Sequence, residues 1–112
     1  NDPDTLPILK TLAQFDEEFF VRFTTVKALA QGWKNDPDTL PILKTLAQFD
    51  EEFFVRFTTV KALAQGWKND PDTLPILKTL AQFDEEFFVR FTTVKALAQG
   101  WKNDPDTLPI LK

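Results

Sequence analysis

The chain is 112 residues long, with 17 acidic and 13 basic side chains, a net charge of −4 and neither histidine nor cysteine. That balance supplies no basic face for sequence-independent binding to nucleic acid or to an anionic membrane, and the missing cysteine excludes disulfides and thiol chemistry. Apolar residues form 43% of the chain, enough for a core, but their longest unbroken runs are two or three residues, so neither a transmembrane helix nor a secretory segment is predicted.

Self-similarity dominates everything else. Asn1, Asn35, Asn69 and Asn103 open the same segment, and all 78 positions with a counterpart 34 residues further on are identical to it. The chain reads as one domain with repeats at 1–34, 35–68 and 69–102 and a partial repeat at 103–112. One such unit is smaller than the ~40 residues below which isolated domains usually need a staple. Stability must therefore come from stacking one unit on the next.

Within a unit, Asp4 is the predicted N-cap of a first helix over about residues 4–15, which puts Pro7 at the third helical position, where a missing N–H is tolerated. Asp2 as cap with Pro3 at the first helical position is the alternative. Leu6, Leu9 and Ala13 form one apolar stripe and Ile8, Leu12 and Phe15 the adjacent one, leaving Lys10, Thr11 and Gln14 for solvent. A second helix is predicted over 16–32, with Asp16 as N-cap and Glu17 and Glu18 in the first turn. Its stripes, Phe19, Phe23, Val26 and Ala30 on one side and Val21, Thr25, Ala28 and Leu29 on the other, cover well over half its circumference, so it is expected to be sandwiched. Gly32 is expected to end it in a left-handed conformation, with Trp33 completing the cap and a short loop through Lys34 and Asn35-Asp36-Pro37 leading into the next copy. The fold class is all-α: a solenoid of stacked antiparallel helix pairs, with six helices and a truncated seventh.

Arg22 falls where the two stripes of this nearly buried helix meet and needs a carboxylate, which the repeat supplies as Asp16 or Glu18 of a neighbouring copy. Phe20 shares its side of the helix with Thr24, Lys27 and Gln31, so Phe20, Phe54 and Phe88 make an apolar row on the surface, with Phe23, Phe57 and Phe91 beside it, and such a row marks a contact site or an aggregation hazard. Chemistry is poorly provided for. There is no serine, cysteine or histidine, the glycines are isolated, and the acid clusters Asp2/Asp4 and Asp16-Glu17-Glu18 are explained as helix caps and first-turn acids. No catalytic residue, metal site or cofactor is expected, and the chain does not read as an enzyme.

Asp16, the Val21-Arg22 pair, Val26 and Leu29 together resemble the second helix of a HEAT-type repeat. The run Leu29-Ala30-Gln31-Gly32-Trp33-Lys34-Asn35-Asp36-Pro37-Asp38-Thr39-Leu40-Pro41-Ile42-Leu43-Lys44 is similar to the HEAT-like arrays of bacterial STAND-class NTPase signalling proteins, and the resemblance covers the whole chain. It implies a right-handed superhelix of stacked helix pairs, protein partners, and an Asp–Arg ladder between repeats carried by Asp16, Asp50 and Asp84 with Arg22, Arg56 and Arg90. Thr25 departs from it where a small alanine is usual, as do Phe20 and Phe23 where smaller or polar residues are common. The NTPase module is not among these residues, so nucleotide chemistry does not carry over. The tetratricopeptide repeat shares the period, but its Trp, Leu-Gly and Tyr positions have no match in Leu6 to Phe15.

Arrays normally close with polar capping repeats, whereas the first and last units here have internal sequence. The expected function is a structural, self-assembling tandem-repeat scaffold that stacks end to end into helical filaments, its partner another copy of itself. Its perfect identity fits a designed or consensus array, or a slice of a longer natural one, for which a cytoplasmic setting is expected. The alternative is a protein- or peptide-binding module, a fragment of a signalling protein's sensor array, for which unvarying repeats suit a repetitive ligand.

Overall fold

A computed structural model describes residues 2–112, and among them the chain is helical throughout, without strands. The elements are α1 (Thr5–Phe15), α2 (Phe19–Gly32), α3 (Thr39–Phe49), α4 (Phe53–Gly66), α5 (Thr73–Phe83), α6 (Phe87–Gly100) and the short α7 (Thr107–Leu111). Helices α1, α3 and α5 each pair with the even-numbered helix that follows, and the pairs stack in succession, α2 on α4 and α4 on α6. This is an α-solenoid. Successive second helices contact one another far more extensively than successive first helices do, so the second helices form the inner side of any curvature.

Three local features differ from the sequence reading. The second helix begins at Phe19 and not at Asp16, because Asp16 is extended at φ −65° and ψ 138° and its Oδ1 accepts the Glu18 N–H at 2.8 Å, closing an Asx turn. The Asp16 carbonyl is thereby left outside the helical ladder. Second, Asp4 does occupy the N-cap position of α1, but its side chain caps nothing; Asp2 Oδ1 accepts the Asp4 N–H at 2.7 Å in another Asx turn just before the helix. Third, no glycine has positive φ. Gly32 is the last residue of α2 and the chain leaves through Trp33, at φ −135° and ψ 41°, whose N–H donates to the Leu29 carbonyl at 2.9 Å.

The core runs along the stack rather than inside one unit. Leu29, Leu43, Leu63, Leu77 and Leu97 are fully buried with Val26, Val55, Val60 and Val89. Buried Thr25, Thr59 and Thr93 donate their hydroxyls to the carbonyls of Val21, Val55 and Val89 at 2.6 Å, so a polar atom is buried without asking anything of the neighbour. Identical residues show what stacking contributes. Ile8 is 55% exposed, while its copies Ile42 and Ile76, each covered by a preceding repeat, are 8% and 9% exposed.

The turns leading into each new repeat are tied back to the previous one. Lys10 Nζ lies 2.9 Å from both Asp36 and Asp38, Lys44 reaches Asp70 and Asp72, and Lys78 reaches Asp104 and Asp106. Asp36, Asp70 and Asp104 are held below the usual carboxylate range, first by the backbone N–H two residues on and then by the lysine. Because their folded pKa is the lower one, the stabilisation is complete above the unfolded value and disappears as pH falls through the folded one.

Two outcomes follow from these local structures. Gly32 is helical and a Cβ there would meet nothing within 4 Å, so Gly32→Ala is expected to raise stability, read from urea denaturation, by about 0.4–1 kcal/mol. Stability of the chain is expected to fall with pH below about 3.9, and replacing Asp36, Asp70 and Asp104 together with Asn is expected to flatten that part of the profile.

Candidate functional site

The junction between repeats is built on a buried arginine. Arg22, 6% exposed, donates from Nε to Asp50 Oδ2 at 2.9 Å and from Nη2 to Asp50 Oδ1 at 3.1 Å, a two-pronged pair with the next repeat. Its remaining nitrogen, Nη1, donates to the Asp16 carbonyl at 2.8 Å, the group that the Asx turn leaves outside α2. Arg56 repeats the arrangement with Asp84 at 2.9 and 3.1 Å and with the Asp50 carbonyl at 2.7 Å. Glu18 and its copies take no part in these bonds. Arg90 donates to the Asp84 carbonyl of its own repeat, and among the described residues it meets no carboxylate. Asp16 likewise meets no arginine side chain at the other end.

On the second-helix side the phenylalanines form a continuous file. Phe20, Phe19, Phe54, Phe53, Phe88 and Phe87 follow one another with ring centroids 4.3, 6.2, 4.8, 6.2 and 4.4 Å apart and planes within 29° of parallel. Two of those steps, Phe19 to Phe54 and Phe53 to Phe88, cross from one repeat to the next. Phe20, Phe54 and Phe88 are exposed, whereas Phe23 and Phe57 are half-buried against the core and only Phe91, at the last repeat, is exposed. Lysines lie over the rings beside the file, Lys61 Nζ at 5.3 Å from the Phe57 ring and Lys95 Nζ at 5.4 Å from Phe91. Towards the C-terminal ends of α2 and α4 a hollow of about 290 Å³ is lined by Lys27, Gln31, Lys61, Gln65 and Trp67.

A second repeating surface escaped the sequence reading. Phe15, expected on an apolar stripe with Ile8 and Leu12, is 74% exposed, and its copies Phe49 and Phe83 are each 75% exposed. It is the last residue of its helix, next to the extended Asp16–Glu18 turn. Two grooves of about 570 and 420 Å³ run between successive turns along this edge, the first lined by Phe15, Phe49, Glu17, Glu51 and the Arg22–Asp50 pair, the second by the equivalent residues of the next repeat. The turns at 16–18, 50–52 and 84–86 carry nine carboxylates, against three arginines close by, so the mild net charge of the chain hides an acidic edge. No group of three or more carboxylates among the described residues is placed to hold a metal ion.

The outer faces of the array differ from the inner ones only in lacking a neighbour. Phe87 and Phe91 are 59% and 56% exposed, where their copies in the first two repeats are half-buried. A family model described as HEAT repeats matches residues 1–64. No curated protein and no solved structure matches the chain.

Removing the guanidinium from a completed junction leaves a buried carboxylate unpaired. Arg56→Ala is therefore expected to cost about 3–5 kcal/mol in chemical denaturation, and Arg90→Ala, which breaks no ion pair, clearly less.

Proposed function

The chain belongs to the HEAT-repeat family, and on that footing we propose that it is a structural scaffold which extends by stacking further copies of its own repeat on its two outer faces. Repeats of this family serve as scaffolds and protein-binding modules, and the finer reading rests on one observation. The last Arg–Asp junction is half made at each end: Arg90 presents a guanidinium without a carboxylate, and Asp16 a carboxylate without a guanidinium. The contact that joins one repeat to the next is heterologous, so copying it between chains never closes on itself and produces a linear or helical assembly. Phe20 of an incoming copy would extend the aromatic file at Phe87, as Phe54 does at Phe19. Identical repeats, whether designed or recently duplicated, suit this role, since every junction is the same junction.

A second reading is favoured by the aromatic file itself. Its exposed rings, with Lys61 and Lys95 over the neighbouring Phe57 and Phe91, suit a protein or peptide carrying apolar and acidic side chains at the spacing of the repeat. The resemblance to the arrays of STAND-class signalling proteins supports the same role.

A charge exchange tests the first reading. Sedimentation velocity over a concentration series is expected to show the chain associating, and Arg90→Asp and Asp16→Arg are each expected to abolish it by setting like charges against each other. Mixing the two variants pairs the carboxylate introduced in one with the guanidinium introduced in the other, and the retained Arg90 with the retained Asp16. Both kinds of junction are then complete, and assembly is expected to return. A mixture that stays monomeric while the unaltered chain assembles would remove the ladder from the mechanism, and an unaltered chain that is monomeric at every concentration would favour the partner-binding reading.

A further inference from the structure

The lysines of the array fall into two sets. Lys10, Lys44 and Lys78 are each taken up by two loop aspartates. Lys27, Lys61 and Lys95 on the second helices, with Lys34 and Lys68 in the loops, meet no carboxylate among the described residues. Nor do the helical three stand in the last turn of their helices, where a cation would serve the free carbonyls. The hollow between α2 and α4 gathers three of these five ammonium groups. Lys27 and Lys61 line it, and Lys34 Nζ lies 5.6 Å from the centre of the Trp67 ring, which forms part of its wall. Gln31 and Gln65 add amide donors, and no carboxylate lines it. One repeat on, Lys95, Gln99 and Trp101 continue the pattern, with Lys68 Nζ 5.6 Å from the Trp101 ring.

We propose that this strip of the second helices binds an acidic peptide segment of a partner protein in the polyproline II conformation, with a carboxylate at every third residue. This deepens the partner-binding reading above and rests on it. The unpaired lysines set the charge of the occupant, and the packing of the helices sets its phase. Helices in contact stand about 8–10 Å apart, and α2, α4 and α6 pack in direct succession, so equivalent lysines recur at that interval. A polyproline II segment brings every third side chain back to the same face after about 9.3 Å. A β-strand sends its third residue to the opposite face. An α-helix returns to one face near that distance only at every seventh residue, as a rod about 10 Å wide that cannot enter a narrow hollow. Flat aromatic walls such as Trp67 also suit the polyproline II conformer, which is ordered before it binds and so loses little entropy.

Two labelled peptides of one composition separate phase from bulk charge. One repeats Glu-Pro-Ala; the other gathers all its glutamates at one end. Fluorescence anisotropy with the whole chain at physiological ionic strength is expected to show the phased peptide binding about tenfold more tightly, because the clustered one forfeits most of its ion pairs. Lys27→Gln combined with Lys61→Gln, both exposed positions, is expected to weaken the phased peptide about tenfold, with helix content unchanged by circular dichroism. Phe54→Ala is expected to change it little. Equal affinity for the two peptides overturns the three-residue phase. Binding that is indifferent to the lysine substitutions but lost in Phe54→Ala overturns the site and leaves the partner-binding reading standing on the aromatic file. If neither peptide binds the unaltered chain, the site is wrong and the partner-binding reading loses its acidic component.

Discussion

A guanidinium buried by its own helix but neutralised by the next repeat is the constraint that the stack is built to satisfy. Arg22 and Arg56 sit at 6% and 5% exposure, where an unpaired charge is costly, and the carboxylates that pair with them lie 28 residues further on. Apolar burial alone is non-directional and would tolerate some sliding of one helix pair over another. The planar fork on Asp50 or Asp84 does not tolerate it, since both N–H groups must meet both oxygens. The third nitrogen fixes the arginine to the carbonyl of its own turn, so one side chain registers two turns, its own and that of the next unit.

The opposite edge is held more loosely. The lysines that reach back to the loop aspartates are partly solvated, and Asp38, Asp72 and Asp106 are mostly exposed, so each such pair contributes little beyond orientation. Successive repeats approach one another most closely through their second helices. First helices stand further apart, with solvated faces and lysine links between them. The aromatic file therefore lies on the side where successive repeats approach most closely.

Much of this was legible in the sequence because period and amphipathicity are properties of the chain that no neighbour can overrule. A helix pair per 34 residues, the position of Pro7 and the sandwiched second helix need only the 3.6-residue spacing. The rest depends on competition between local hydrogen bonds. Asp16 carries every mark of an N-cap, yet its side chain bonds the N–H two residues on, and only the buried Arg22, seeking a free carbonyl, gives that arrangement a use. Gly32 has the composition of a left-handed stop, but the Trp33 N–H closes the helix without one. Phe15 belongs to an apolar stripe by angle and is exposed by position, since angle does not tell how far along the helix a neighbour extends. The glutamate after that turn's aspartate was the available clue: Glu17, Glu51 and Glu85 are exposed and mark a solvated end.

Perfect repetition has a consequence for any surface that is not consumed by stacking. A partner that contacts the aromatic file, the lysine row or the acidic edge at one repeat meets the same surface, in the same orientation, at each of the others. Single contacts of that kind are weak, and lengthening the array adds no new chemistry to them. It does raise the effective concentration at which the second and third contacts form, so affinity for a repetitive or multivalent partner grows with the number of repeats in line. The proposed end-to-end growth would couple to such lateral binding without any change of shape. A partner long enough to bridge a junction would hold two chains together, and by linkage a longer stack would hold such a partner more tightly.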